Sequence, residues 1–208
     1  MARADGAATR VDLLDAAAQV ISDHGYSGLS TRLVAETAEV PLSQIHYHFG
    51  SKLDLVLAVL DKQNRTLLER QRVMFSSETP LWLQWDQACD FLEDDLRSGY
   101  VRLLHEMIAA GWSDERIASA VRSQMDGWHG LLADVARRAT EELGGFHPFT
   151  AEEYATLAVS AFLGAEQLIL LGFDEETMPA RSALRKIGRL LKRIEERDHE
   201  ALPSSALG

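Results

Sequence analysis

The sequence predicts an all-α protein of about nine helices, with a small N-terminal part of three helices joined to a larger helical part. Three observations support this prediction. Apolar residues recur three and four positions apart through almost all of the 208 residues, no alternating run is long enough for a strand, and helix-ending or capping residues separate the runs. We place the boundary after residue 52, so that residues 1–52 form the first part and residues 53–208 the second, with a frayed tail from about residue 198.

The three N-terminal helices are delimited by residues that favour helix ends. Gly25 ends the first helix at a position where a left-handed residue is favoured. Ser30 can cap the second helix, and Pro41 breaks the chain and can open the third, which buries Ile45 and Phe49. The residues that we expect to face inward on the first helix are Val11, Leu14, Ala18 and Ile21.

Six longer helices follow, each with its own boundary signals. Ser51, with an acidic residue three positions later, is a capping-box-like start for the fourth helix. Gly99 separates the fifth from the sixth, residues 144–148 read as a loop, and Thr150 caps the eighth. The ninth helix is expected from about residue 179 to 197.

Composition points to a globular protein of a reducing compartment. The chain has one cysteine, Cys89, so an internal disulfide and a four-cysteine zinc site are excluded. The N-terminus has no signal-peptide pattern, and no run approaches the ~20 apolar residues of a membrane span. We therefore expect a cytoplasmic protein without a membrane partner.

The region from Ser30 to Phe49 has the pattern of a helix-turn-helix, two short helices joined by a tight break. The second of these helices enters the major groove of DNA in proteins with this motif. The charge is unfavourable for DNA, since residues 1–52 have a net charge of −2 and the whole chain −11. The third helix nevertheless leaves uncharged groups outward that can contact bases or phosphates: Leu42, Ser43, Gln44, His46, Tyr47 and His48.

Three segments closely resemble the DNA-binding segment of the TetR family of bacterial regulators. They are Gly25-Tyr26, residues 30–35 (STRLVA) and residues 40–52 (VPLSQIHYHFGSK). Two departures occur: Glu39 replaces the usual turn glycine, and Leu29 stands where threonine is common. If residue 39 must be left-handed, glutamate there costs roughly 1–2 kcal/mol.

This resemblance implies roles for individual residues of the helix-turn-helix. Leu42 and Gln44 would face bases, and Tyr47, His48 and Lys52 would hold phosphates with help from the start of the second helix. The implied DNA-binding residues are therefore Thr31, Arg32, Leu42, Ser43, Gln44, Tyr47, His48 and Lys52. A homodimer would place two recognition helices on a near-palindromic operator.

The resemblance also implies that the last two helices form a four-helix bundle with those of a second subunit. Small residues on the eighth helix allow close approach, and the ninth has an aliphatic stripe, although both could instead pack within one subunit. The expected interface residues are Ala158, Ala161, Ala165, Leu184, Ile187, Leu191 and Ile194.

The helices between the ends are rich in tryptophan, with a few polar residues at inward positions. Such a composition suits a mostly apolar ligand site, although tryptophans at helical spacing also fill ordinary cores. The candidate ligand contacts are Trp85, Cys89, His105, Trp112, Trp128 and Gln167. An effector would be small and largely apolar, because no inward cluster of Lys or Arg is visible.

We predict a ligand-responsive transcriptional regulator. The sequence leaves repressor and activator open, and the family resemblance implies a repressor that an effector releases from its operator. We expect no enzyme, cofactor or metal, since no phosphate loop, nucleophile with its base, or metal-ligand spacing occurs. The alternative is a helical small-molecule-binding protein whose helix-turn-helix no longer binds DNA, which the acidic N-terminal region favours. A steep salt dependence of DNA binding would separate the two.

Overall fold

The computed structural model describes residues 2–142 and 148–201, with the side chains of residues 6–141 and 148–196. The described residues form nine α-helices and no strand, which confirms the predicted fold class. The helices are α1 (Ala2–Gly28), α2 (Thr31–Thr37), α3 (Ser43–Phe49), α4 (Lys52–Phe75), α5 (Leu81–Arg97), α6 (Tyr100–Gly111), α7 (Glu115–Glu142), α8 (Ala151–Leu170) and α9 (Ala180–Ala201). Most of the loop predicted at 144–148, and most of the tail predicted from residue 198, lie outside the described residues.

Gly25 breaks α1 three residues before its last residue, near the position where the sequence predicts the helix to end. Its φ of 70° and ψ of 175° interrupt the helix in a conformation that is essentially restricted to glycine. The beginning of α1 differs from the prediction, because the helix starts at Ala2 rather than near residue 8. The expected inward position of Val11 is wrong, because this residue is exposed. Leu14 and Ile21 are buried as predicted, and Leu13, Ala17 and Val20 are buried beside them.

The turn between α2 and α3 is a complete Schellman motif. The N–H of Glu39 donates to the Glu36 carbonyl at 3.2 Å, and the N–H of Val40 donates to the Ala35 carbonyl at 3.0 Å. This pair of hydrogen bonds requires residue 39 to be left-handed, and Glu39 has a φ of 54°. Residue 39 is therefore left-handed, and because it is a glutamate rather than a glycine, its Cβ makes this conformation unfavourable.

By their contacts the helices group into two compact units. The first comprises residues 1–67 and 94–124, and the second comprises residues 68–93 and 125–208. In the first unit, α6 begins at Gly99, which has a φ of 78°, and a Cβ there would lie 2.8 Å from the Cα of Ser22 in α1. The α4 and α6 helices are joined by a hydrogen bond from the Tyr100 hydroxyl to Asn64, both buried, at 3.0 Å.

The second unit is built around a small apolar core and the packing of α9 on α5. Met74, Phe75, Ala88 and Val135 form the buried cluster. Glu195 of α9 accepts hydrogen bonds from the first two N–H groups of α5, at 2.7 and 3.3 Å, which satisfies donors that lack partners within the helix. The start of α8 has the capping box that Thr150 and Glu153 predict, with both of its hydrogen bonds formed.

Candidate nucleic-acid interface

The α3 helix is held by one buried residue and presents the rest of its surface outward. Ile45 is fully buried, whereas the Tyr47 side chain is 80% exposed and Leu42 and Ser43 are exposed. Gln44 is half-buried. The Tyr47 ring therefore contributes little to packing within the chain and is available for a contact outside it.

The other side of α3 faces the beginning of α1. The Arg10 guanidinium lies 5.2 Å from the centre of the Phe49 ring, and the His48 ring packs edge-on against Tyr47 at 4.9 Å. His48 is half-buried, and its Nε2 is buried without a hydrogen-bond partner. The Tyr47 and His48 rings therefore support each other at the outer surface of the helix.

The start of α2 is capped by Ser30, whose hydroxyl accepts a hydrogen bond from the Leu33 N–H at 3.1 Å. The cap leaves the first residues of the helix, Thr31 and Arg32, at the surface. Arg32 is highly exposed and pairs with Glu36 one turn later at 3.0 Å. An exposed pair of this kind contributes little stability, so Arg32 can exchange its partner for a phosphate at small cost.

The start of α4 carries Lys52, whose ammonium is held by Tyr26 near the end of α1. Its Nζ donates to the Tyr26 carbonyl at 3.4 Å and lies 4.7 Å from the centre of the Tyr26 ring. Both contacts leave donor capacity on the ammonium, because the group has three N–H donors. Lys52 thus has a defined position beside the end of α3.

The first turn of α4 is further fixed by an ion pair with α7. The Asp54 N–H donates to the Ser51 hydroxyl at 3.1 Å, and the carboxylate of Asp54 pairs with the Arg116 guanidinium. The pKa of Asp54 is held below its ordinary value, first by the hydrogen bond from Ser51 and then by Arg116. The Asp54 N–H bond confirms the predicted capping role of Ser51.

The residues predicted to form the dimer interface differ in how exposed they are. Leu184 is 3% exposed and its carbonyl accepts a hydrogen bond from the Trp85 indole N–H at 2.7 Å, so it belongs to the core of its own unit and cannot reach a partner. Ala165 is also buried, and Ile194 is exposed. The remaining predicted residues, Ala158, Ala161, Ile187 and Leu191, are half-buried.

The predicted ligand residues divide between the two units. His105 and Trp112 belong to the first unit, and Trp85, Cys89, Trp128 and Gln167 belong to the second. Trp112 follows the last residue of α6 and is 82% exposed, so its expected alignment with the inward residues of that helix is wrong.

In the second unit, Gln167 is also exposed rather than inward. Trp85 is half-buried, bonded through its indole N–H, and lies 5.3 Å from the Phe162 ring. Cys89 is buried, and burial raises the pKa of its thiol to about 11. His105 and Trp128 are half-buried, and whether any of the six residues contacts a ligand remains a prediction.

Sequence reasoning missed several buried amides at inward positions, three of which lie on α4 and α7. Asn64 and Gln71 continue the buried stripe of α4 seven residues apart, and Gln124 lies on the buried side of α7. The Oε1 atoms of Gln71 and Gln124 are buried without a hydrogen-bond partner. The sequence does carry a signal for their burial, because these amides lie within apolar stripes. Gln124, for example, follows Ile117 and Val121 at helical intervals.

Two further properties concern the described parts of the chain. No group of three His, Cys, Asp or Glu side chains there could hold a metal ion. None of the described helices is long and apolar enough to cross a membrane.

Comparison with known proteins agrees with the helix-turn-helix and with the fold. The sequence profile of the bacterial regulatory proteins of the tetR family matches residues 13–59. No curated protein matches the chain.

Solved structures match over most of the chain. A TetR-family transcriptional regulator from Agrobacterium tumefaciens has a TM-score of 0.71 at 20% identity, covering 90% of this chain and 98% of its own. A candidate transcriptional regulator from Saccharomonospora viridis, in complex with choline, has a TM-score of 0.73 at 20% identity, covering 86% and 95%. A TetR-family member from Streptomyces coelicolor A3 has a TM-score of 0.60 at 27% identity, covering 86% and 96%. The profile match thus relates residues 13–59 to the tetR family of bacterial regulatory proteins, and the solved structures show that the chain shares the fold of TetR-family regulators.

Proposed function

We propose that this chain is a TetR-family regulator, which binds operator DNA as a homodimer through α3 and is a repressor that a small effector releases. The observation on which the proposal depends most is the outer surface of α3. Tyr47 is 80% exposed there, and the helix contains no Lys, Arg, Asp or Glu. The hydroxyl, amide and imidazole groups on this surface can hydrogen-bond base edges or phosphates without a formal charge.

The proposed DNA contacts are those that the sequence predicts. Leu42 and Gln44 face bases, and Tyr47, His48 and Lys52 hold phosphates together with Thr31 and Arg32, while Ser43 lies at the exposed start of the helix. The capped start of α2 and the start of α4 add backbone N–H groups that favour phosphate oxygens. Helix ends and hydrogen bonds attract phosphates without a net positive charge. The negative net charge of residues 1–52 therefore argues less strongly against DNA binding.

The test is operator binding by Tyr47 variants, measured by fluorescence anisotropy on a duplex obtained by selection. We expect Tyr47→Ala to weaken binding about tenfold, the value of one good hydrogen bond with its packing. Trp112→Ala is the matched control, since it removes an equally exposed aromatic ring from the same unit. Equal affinities of the Tyr47→Ala variant and the wild type would contradict the proposed interface.

The proposed dimer interface lies on the exposed faces of α8 and α9. Leu157 and Gly164 of α8 and Leu171, which follows its last residue, are exposed at seven-residue spacing, and a Cβ at Gly164 would meet nothing within 4 Å. On α9, Leu190 and Ile194 are exposed four residues apart. Apolar residues at this spacing pack against another helix, and an open glycine allows that helix to come close.

The proposed effector is small and mostly apolar, with at least one hydrogen-bond donor. The unpartnered Oε1 atom of Gln71 supports a donor, because a buried acceptor without a partner costs about 1–3 kcal/mol. Among the described residues no Lys or Arg is buried, which disfavours a strongly anionic effector. The structure from Saccharomonospora viridis contains choline, so a protein of this fold accommodates a small organic molecule.

Release would follow from a shift in population. In one conformation of the dimer the separation of the recognition helices does not match the operator. An effector that binds this conformation more tightly than the other lowers operator affinity by the ratio of its two affinities. Because the DNA partner is chromosomal, we propose that the protein acts in the cytoplasm. Thermal-shift screening of small apolar alcohols and amines would test the effector class, and stabilisation only by dicarboxylates or phosphates would contradict it.

A second candidate function is a helical ligand-binding protein that no longer binds DNA. The net charge of −2 over residues 1–52 favours it, since DNA-binding surfaces are usually basic. The salt dependence of binding separates the two functions. A dimer that neutralises several phosphates loses affinity steeply between 50 and 200 mM salt, and salt-insensitive or absent binding would favour the second function.

A further inference from the structure

Helix α6 holds the end of α1 through three residues at spacings of about one helical turn. Gly99 lies against Ser22, so closely that only glycine fits. Arg102 covers Gly25, with its guanidinium 3.1 Å from the position that a Cβ would take there. Glu106 accepts a hydrogen bond from the Tyr26 N–H at 3.0 Å. Arg102 and Glu106 also pair with each other at 3.3 Å, which fixes both side chains over the turn.

The Glu106 bond is the strongest of these contacts in chemical terms. Its acceptor is a carboxylate and its side chain is 30% exposed, so the bond is charge-assisted and only partly screened by water. It fastens the backbone of Tyr26 immediately after the break at Gly25, where the glycine conformation interrupts the helix.

Tyr26 in turn holds Lys52 at two points. Its carbonyl oxygen accepts from the Lys52 Nζ at 3.4 Å, and its ring lies under the same ammonium at 4.7 Å. One residue therefore receives a carboxylate from α6 on its N–H and an ammonium from α4 on its carbonyl and ring. The first residue of α4 is thus joined to α6 by Tyr26.

We infer that Glu106 is a positioning residue for DNA binding, which acts by holding Tyr26 and through it the Lys52 ammonium. The inference rests on the proposed function, because it requires Lys52 to contact a phosphate. A lysine side chain has four rotatable bonds, and ordering it on binding reduces affinity. Because Tyr26 holds the Lys52 ammonium, the lysine side chain is already ordered in the free protein, and DNA binding does not have to order it.

The test is a double-mutant cycle on operator affinity, with Glu106→Met, Lys52→Met and the double variant. We expect Glu106→Met to weaken binding about tenfold in the wild-type background and less than twofold in the Lys52→Met background. The slope of log affinity against log salt should fall by up to about 0.9 per subunit in the first case, the value of one lost phosphate contact. Glu106→Gln, which keeps an acceptor for the Tyr26 N–H, should retain most of the affinity.

Glu115→Met is the matched control for charge. Glu115 is an exposed residue of α7 in the same unit, paired with Arg122, and its replacement removes the same charge without touching Tyr26. Equal weakening by Glu106→Met in both backgrounds, or no more weakening than Glu115→Met produces, would overturn the inference.

A second measurement keeps the inference separate from the proposed function. Absence of DNA binding by the wild type would reject the function itself, whereas the contact between Glu106 and Tyr26 can be read without DNA. Hydrogen exchange of the Tyr26 amide should accelerate about tenfold in Glu106→Met and little in Glu115→Met. Unchanged exchange in Glu106→Met would overturn the inference even if DNA binding is intact.

Discussion

Replacing Glu39 with glycine should stabilise the protein, although it removes a side chain. Glu39 has a φ of 54° and closes the Schellman motif between α2 and α3. A residue with a Cβ pays roughly 1–2 kcal/mol in the left-handed region. Glycine removes this cost but loses about 0.5–1 kcal/mol through the greater freedom of the unfolded chain. The net gain in the free energy of unfolding should be about 0.5–1 kcal/mol.

Thermal unfolding followed by circular dichroism can measure this gain. A chain of this size changes its melting temperature by about 2–4 °C per kcal/mol, so Glu39→Gly should melt about 1–4 °C higher than the wild type. Glu39→Ala is the control, because it removes the same charge and keeps the Cβ. If the alanine variant gains as much as the glycine variant, charge rather than backbone conformation would explain the effect and the reasoning would be refuted.

Three further predictions concern charge, the thiol and the subunit interface. Asp54→Asn should be less stable than the wild type at pH 7. Because the folded pKa of Asp54 is lowered, the difference in the free energy of unfolding, measured by urea titration, should shrink as the pH falls below about 4. A difference that does not change with pH would contradict the role of the Ser51 and Arg116 contacts. Cys89 should react with a thiol reagent at pH 8 only after denaturation, since burial raises its pKa to about 11; rapid labelling of the native protein would show that the thiol is accessible. Leu190→Asp should yield monomers in analytical ultracentrifugation, whereas Val73→Asp, at an equally exposed apolar residue of α4, should remain dimeric; a dimeric Leu190→Asp would move the interface elsewhere.

The sequence predicts those elements whose ends are chemically marked. Gly25, Ser30, Ser51 and Thr150 each end or begin a helix with the conformation or hydrogen bond expected of them. These signals are local, because a cap or a left-handed glycine depends on the residues within one turn of it. The candidate DNA interface shares this advantage, since α3 and the turns on each side occupy a short stretch of chain.

The orientation of helix faces is predicted less well. Val11, Trp112 and Gln167 are exposed although the helical period placed them inward, and Leu184 is buried within its own unit although it was assigned to a partner. A period fixes which residues share a stripe, but a helix with two apolar stripes does not say which one faces the core. On α9, one stripe contains Leu184 and another is exposed.

Contacts between distant parts of the chain could not be predicted at all. The hydrogen bond from Tyr26 to Glu106 joins residues 80 positions apart, and the ion pair between Asp54 and Arg116 joins residues 62 apart. Each of these side chains reads as an ordinary surface charge in the sequence. Only the packing of α6 on α1, and of the start of α7 near the start of α4, reveals that they support the candidate DNA interface.

The most direct test of the central claim is fluorescence anisotropy of the wild-type protein on a selected duplex at 50 and 200 mM salt, with the stoichiometry measured in the same titration. The proposed function predicts two subunits per duplex and a loss of affinity of at least tenfold between the two salt concentrations. Binding no tighter than the non-specific range of about 10⁻⁴–10⁻⁶ M, for every duplex recovered by selection, would contradict it.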